Sequence, residues 1–160
     1  MAFNDTVILG NEDLGAGEVI TASPYNVSSF EIFEDGLLEG RFVKYDAGSI
    51  DNLDASATPV IAGIAKRKIT GEIGTGVYST TGTEVDSVAE VANFGFATVT
   101  ITDAATPSKY DPVYVINAAT AEAGKATQDD DTGANPSAGD VVFWEEKADG
   151  VWLVRINKFI

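Results

Sequence analysis

The sequence predicts an all-β protein, a small barrel or sandwich, and three observations carry that expectation. Short runs rich in β-branched and aromatic residues recur along the chain, separated by glycine-rich turns. No window of about 12 residues shows the apolar spacing of an amphipathic helix. Near the end, Asp149-Gly150 stands between two apolar runs. That is a strong hairpin signal, because glycine takes positive φ without a Cβ clash.

Taken in order, the elements are these. Ahead of Arg41 the chain has only short apolar clusters among acids and glycines, which reads as an extended or loosely strand-like arm over residues 1–40. A β-barrel or β-sandwich domain over residues 41–160 follows it. Arg41-Phe42-Val43-Lys44-Tyr45 is rich in strand formers, and an extended chain sends Phe42 to one face and Val43 to the other. Val60 to Ala65 is an apolar run too short for a helix, ended by Lys66-Arg67-Lys68. Gly74 to Ser79 is strand-like with glycine punctuation. Gly95 to Thr102 is the clearest strand, with Ala97, Val99 and Ile101 on one face. Pro112 to Ile116 follows a turn that holds Pro107, Ser108 and Asp111. Val141 to Trp144 and Val151 to Ile156 are the arms of the hairpin. Between these, Asn117 to Gly139 is rich in Ala, Thr, Asp and Gly. It reads as a long solvated loop with room for one helical turn around 118–123.

Composition narrows the chemistry. A chain of 160 residues suits one domain with its own core. Hydrophobic residues at 44 % and charged residues at 22 % argue against wholesale disorder. There is no Cys, hence no disulfide framework, thiol nucleophile, Cys-ligated zinc or iron–sulfur cluster. There is no His, hence no Ser-His-Asp or Cys-His relay and no histidine metal site. With 25 acids against 10 bases the net charge is −15, which repels a phosphate backbone and makes nucleic acid a poor partner. Eight of those acids precede Arg41 and no base does, so the first quarter holds over half of the excess. The start of the chain has no basic segment followed by an apolar one, and no apolar run reaches the roughly 18 residues of a membrane span. The expectation is a soluble protein made in a cytoplasm, with no membrane partner and no cofactor.

Each motif that might carry chemistry has a plainer reading. Asp129-Asp130-Asp131 offers hard oxygen ligands, but a calcium loop alternates its ligands, and no distal bidentate acid follows. A solvated loop is the expectation. Glu145 and Glu146 are adjacent, so in a strand they point to opposite faces and do not flank one glycosidic bond. Gly71-Glu72-Ile73-Gly74-Thr75-Gly76 lacks the Gly-Lys-Ser/Thr and the helix that a phosphate loop needs, so turn glycines are expected. Lys66-Arg67-Lys68, the one positive cluster in an acidic chain, either docks on an acidic surface or is a charged strand end that discourages stray pairing. Trp144 and Trp152 are expected in the core or at a subunit interface, the alternative being a sugar-stacking platform.

Several segments follow one another in a familiar order over residues 39–160. They are Glu39-Gly40-Arg41-Phe42-Val43-Lys44-Tyr45-Asp46, then Val60-Ile61-Ala62-Gly63-Ile64-Ala65, then the glycine-punctuated Gly71 to Gly76. Asp111-Pro112-Val113-Tyr114 and the final Val151-Trp152-Leu153-Val154-Arg155-Ile156 complete the series. This order resembles the structural cement, or capsid decoration, proteins of tailed bacteriophages. The resemblance implies a compact β-barrel or β-tulip domain that forms a homotrimer at three-fold positions on the outer capsid surface of the virion. It implies a non-enzymatic protein whose partner is the major capsid protein, reached by an N-terminal arm that adds a strand to a capsid subunit. On that reading Phe3, Val7, Ile8 and Leu9 are the arm's candidate contacts, and Lys66, Arg67 and Lys68 form a candidate docking patch. The resemblance leaves the length of the Asn117–Gly139 loop without a role. The competing expectation is a carbohydrate-binding or host-attachment β-sandwich using Trp144, Trp152 or Tyr78 as its platform. A carboxylate-dependent hydrolase of cell-wall or capsular sugar is a third.

Overall fold

The computed structural model describes residues 15–20, 24–32, 36–67, 77–78 and 88–158. Eleven strands lie within them: β1 (Asn26–Glu31), β2 (Leu37–Leu38), β3 (Phe42–Asp46), β4 (Ser49–Asn52), β5 (Ile61–Ala65) and β6 (Val77–Tyr78), then β7 (Val88–Thr100), β8 (Pro112–Val115), β9 (Ala126–Thr127), β10 (Ser137–Ala148) and β11 (Val151–Lys158). The helical content of the described residues is one short 3₁₀ turn at Asp131–Gly133. The all-β expectation therefore holds.

Nine strands form one sheet in the order β4-β3-β5-β7-β11-β10-β8-β9, with β1 also paired to β7. Strands β2 and β6 form a separate ribbon. The sheet curls at both ends. At one end Ile32, just past β1, bridges Ile50 of β4, so that β1, β7, β5, β3 and β4 come round upon themselves. At the other, Ile101, just past β7, bridges Ala126 of β9, and the Thr102 amide donates to the Ala126 carbonyl at 3.1 Å. The result is two small barrel-like halves that share β7, each with its own core.

Strands β3 and β5 are the wall between those cores. Phe42, Ile61 and Ile64 face a cluster with Val99, Val113, Phe143 and Ile156. Val43, Ala62 and Ala65 face the other way, against Leu37, Ile50, Ala89 and Val91. All five residues of β5 are buried, which is why Val60 to Ala65 reads as a continuous apolar run and not as an alternating one. Gly63 sits in this wall at φ 148°, with the Ala92 carbonyl oxygen 2.5 Å from where a Cβ would stand. Arg41 ties the halves together from the start of β3. Its guanidinium donates to the Ala121 and Ala123 carbonyls, while the Phe42 amide donates to Gly124 at 2.9 Å.

Three readings of the sequence are corrected here. Strand β7 runs back from Thr100 through Gly95 to Val88, because Gly95 at φ 99° carries the chain past Tyr25 without breaking the pairing. The Asn117–Gly139 segment is not one loop. It contains β9, the 3₁₀ turn and the start of β10, and its residues Ala126, Thr127 and Ala138 are buried. Small side chains pack there against β8 with no apolar pattern to announce it. The helical turn around 118–123 is a hydrogen-bonded turn, closed by the Ala123 amide on the Thr120 carbonyl at 3.0 Å. The hairpin stands as expected, with Ala148 opposite Val151 and Gly150 at φ 71°.

Gly63→Ala should lower stability by about 2–3 kcal/mol, since a methyl group meets the backbone of β7 and the conformation suits only glycine. Chemical denaturation of the folded chain measures it, and a loss under about 0.5 kcal/mol would contradict this account of the wall.

Candidate functional site: the root of the N-terminal arm

Gly15–Ile20 lies along the β7 edge that β11 does not occupy, and the chain leaves it toward residues 1–14. Backbone pairing holds it: the Gly17 amide donates to the Thr98 carbonyl, the Thr98 amide to Glu18, and the Ile20 amide to Phe96, each at 2.9 Å. From the other side the Arg67 amide donates to the Gly17 carbonyl at 2.7 Å. The segment thus lies between β7 and the end of β5, bridged to β7 at Val19 and Ala97.

Thr98 is the pin. Its side chain is fully buried beneath the segment, and its hydroxyl works in both directions. It accepts from the Glu18 amide at 2.8 Å and donates to the Gly15 carbonyl at 2.6 Å. A β-branched residue in a clear strand looks like ordinary sheet chemistry in the sequence. Only the crossing chain shows that its hydroxyl is used.

Lys66 and Arg67 of the basic triplet flank this root. Lys66 reaches Glu90 at 2.6 Å and Arg67 reaches Glu18 at 3.1 Å. Both pairs are partly exposed, so each contributes modestly, but Arg67 joins the arm's root to the β5 end through side chain and backbone together. Lys68 lies outside the described residues, as do Phe3, Val7, Ile8 and Leu9.

The residues considered for other chemistry are placed as follows. Asp129 and Asp130 spend carboxylate oxygens on their own turn, accepting from the Asp131 amide at 2.9 Å and the Thr132 amide at 3.1 Å. Among the described residues no three of His, Cys, Asp and Glu gather as metal ligands. Glu145 pairs with Lys147 at 3.0 Å. Glu146 points elsewhere, into an open cleft of about 630 Å³ that it shares with Asp103, Asp149 and Trp152. Trp152 packs half-buried on the larger core, edge-on to Phe143. Trp144 departs from the core expectation. It lies on the outer face of the sheet, because β10 turns Phe143 inward and its neighbour outward. The side chain of Tyr78 lies outside the described residues.

A second charged cluster braces the β3–β4 hairpin. Lys44 is nearly buried, 2.9 Å from Asp54 and 3.8 Å from Asp46. Burial disfavours its charge, but Asp54, with Asp51 and Asp46 behind it, more than offsets that and holds the ammonium above the usual lysine range. Asp54 is correspondingly held below the carboxylate range, chiefly by its hydrogen bond from Lys44. Asp51 moves the opposite way, raised first by burial.

A β-only fold whose Gly15–Ile20 segment is bound along β7 defines a structural class of protein. Comparison with known proteins agrees. The family model of the XM1 gp53 minor capsid protein matches residues 4–158. A chain in the solved structure "The capsid of Myoviridae Phage XM1" is 69 % identical, covers 100 % of both chains and superposes with a TM-score of 0.87. No curated protein matches. The chain belongs to the XM1 gp53 minor capsid protein family, a structural family of the phage virion, and the expected phage-capsid affiliation is borne out.

Two outcomes follow from these contacts. Thr98→Val keeps the side-chain shape but strips two hydrogen bonds, so it should cost about 1–3 kcal/mol and speed amide exchange at Gly17 and Glu18 ahead of the barrel. The depressed Asp54 contributes stability above its unfolded value near 3.8, and loses it as pH falls through the lower folded value. Asp54→Asn should therefore lower the urea midpoint at neutral pH and converge with the parent protein only once pH has fallen below the lowered folded value.

Proposed function

We propose that this protein cements neighbouring major capsid subunits from the outside of a phage head, as a homotrimer at three-fold positions. It acts without catalysis and takes no nucleic acid or membrane as partner. In this reading residues 1–40 are an arm bound down on its own domain at Gly15–Ile20 and again at β1, which leaves residues 1–14 to reach a capsid subunit. Fourteen extended residues span up to about 46 Å, enough to leave the footprint of a domain this size.

The observation that carries the reading is the clasp at Gly15–Ile20. An arm that transmits load must be fixed where it leaves its domain, and this one is held by backbone bonds to β7 and to Arg67 and by the buried Thr98 hydroxyl. Phe3, Val7, Ile8 and Leu9 are its side-chain contacts, added to a capsid edge strand by β-augmentation. Lys66 and Arg67 stand at its base, and with Lys68 they are the candidate docking patch for acidic groups of the partner. A clamp across several subunits raises the cost of head rupture by multivalency, since a contact that releases is held close to its site by the others and rebinds. The excess negative charge keeps decorated particles apart.

The test is binding of purified protein to expanded, undecorated cognate heads. The full chain should saturate symmetric positions in electron micrographs. A chain lacking residues 1–14 should fold, judged by its β-sheet circular dichroism, yet bind at least about 10-fold more weakly. Failure of the full chain to bind any mature head overturns the proposal.

A further inference from the structure

The outer face of β7, β11 and β10 carries a patch that the fold itself does not explain. Phe96 and Trp144 meet over β11 with ring centroids 5.2 Å apart, and Tyr110 continues the row at 5.4 Å from Trp144. The Lys109 ammonium sits 4.0 Å from the Trp144 ring centroid. Arg155 stands in register between Phe96 and Val142 and is exposed, as is Tyr110 at 60 %.

The charges of this patch set it apart. Lys44, Lys66, Arg67, Lys125 and Lys147 each reach a carboxylate of the same chain. In a protein with 25 acids that is the ordinary fate of a cation. Lys109 and Arg155 make no ion pair among the described residues, and the nearby Asp111 carboxylate turns to the Ser108 amide at 2.8 Å instead. Among the described residues these two cations thus lack a carboxylate partner, with aromatic rings between them, in an otherwise acidic chain.

The complementary surface is on the same chain. The cleft at the β10–β11 turn holds Asp103, Glu146 and Asp149 around Trp152. Glu146 and Asp149 make no ion pair among the described residues, and Asp103 is fully exposed with only Lys125 near it, at 4.0 Å. A concave acidic site and a cationic aromatic face on one chain, whose Glu146, Asp149, Lys109 and Arg155 make no ion pair among the described residues, suit a head-to-tail contact of the kind that closes into a ring. Trp, Tyr and Arg are also the residue types that anchor protein interfaces.

We propose that the Phe96–Trp144–Tyr110 face, with Lys109 and Arg155, docks into the Asp103–Glu146–Asp149 cleft of a second copy of this chain. This gives the trimer its contact, and it rests on the trimer reading above.

Sedimentation velocity on the full chain at micromolar concentration tests it with three variants. Lys109→Glu with Arg155→Glu should raise the concentration needed for association by about 10-fold or more, and Glu146→Lys with Asp149→Lys should do the same. The chain carrying all four substitutions has the charges exchanged and should regain association. Circular dichroism shows that each variant is folded. Reversed variants that associate like the parent overturn this contact while leaving the trimer standing. The same holds if they remain trimeric but lose binding to heads, which assigns the face to the capsid. A folded four-fold variant that stays monomeric also overturns the contact. A parent protein that is monomeric overturns the trimer and the contact together.

Discussion

Strands β3 and β5 bury side chains on both faces because each face closes a different core, and most of the architecture follows from that demand. Where both cores press on it, such a wall has to be apolar, thin enough for two cores to fit around it, and hydrogen-bonded on both edges. Phe42 and Val43 supply opposite faces from adjacent positions, and Ile61, Ala62, Ile64 and Ala65 do the same one strand over. Gly63 lets β5 approach β7 where a side chain would collide with its backbone. Strand β7 then has to be long, since it must serve both cores, and its 13 residues pair with β1 and β5 in one half and β11 in the other.

That arrangement also creates the place for the arm. The second half of β7 has β11 on one edge, and without Gly15–Ile20 its other edge would expose unpaired amides and carbonyls. The crossing segment satisfies them, and the buried Thr98 hydroxyl satisfies two more groups of the segment itself. Anchoring the arm and protecting the strand edge are one and the same set of bonds.

Electrostatics divides the cations into two groups. Most are used internally: Lys44 braces a hairpin, Arg67 the arm's root, and Arg41 the junction of the two halves through carbonyl groups. Lys109 and Arg155 are not. In a chain of net charge −15, two cations that lack a carboxylate partner among the described residues and stand beside aromatic rings are a local exception to the general repulsion.

Residue type and spacing alone determined the β class, the Asp149-Gly150 hairpin, the opposed faces of Phe42 and Val43, and the absence of thiol and imidazole chemistry. These are local properties, readable wherever side-chain alternation or a turn residue dictates the backbone. The acidic first quarter and the segments resembling phage capsid proteins were equally plain. Tertiary structure decided the rest. Ala126, Thr127 and Ala138 have no pattern to mark them as buried, because their packing depends on strands far away in the chain. Trp144 looked like a core residue, and only the sheet's two faces show that it lies outside. The use of the Thr98 hydroxyl, and the freedom of Lys109 and Arg155, depend on which distant groups arrive beside them, and composition carries no trace of that.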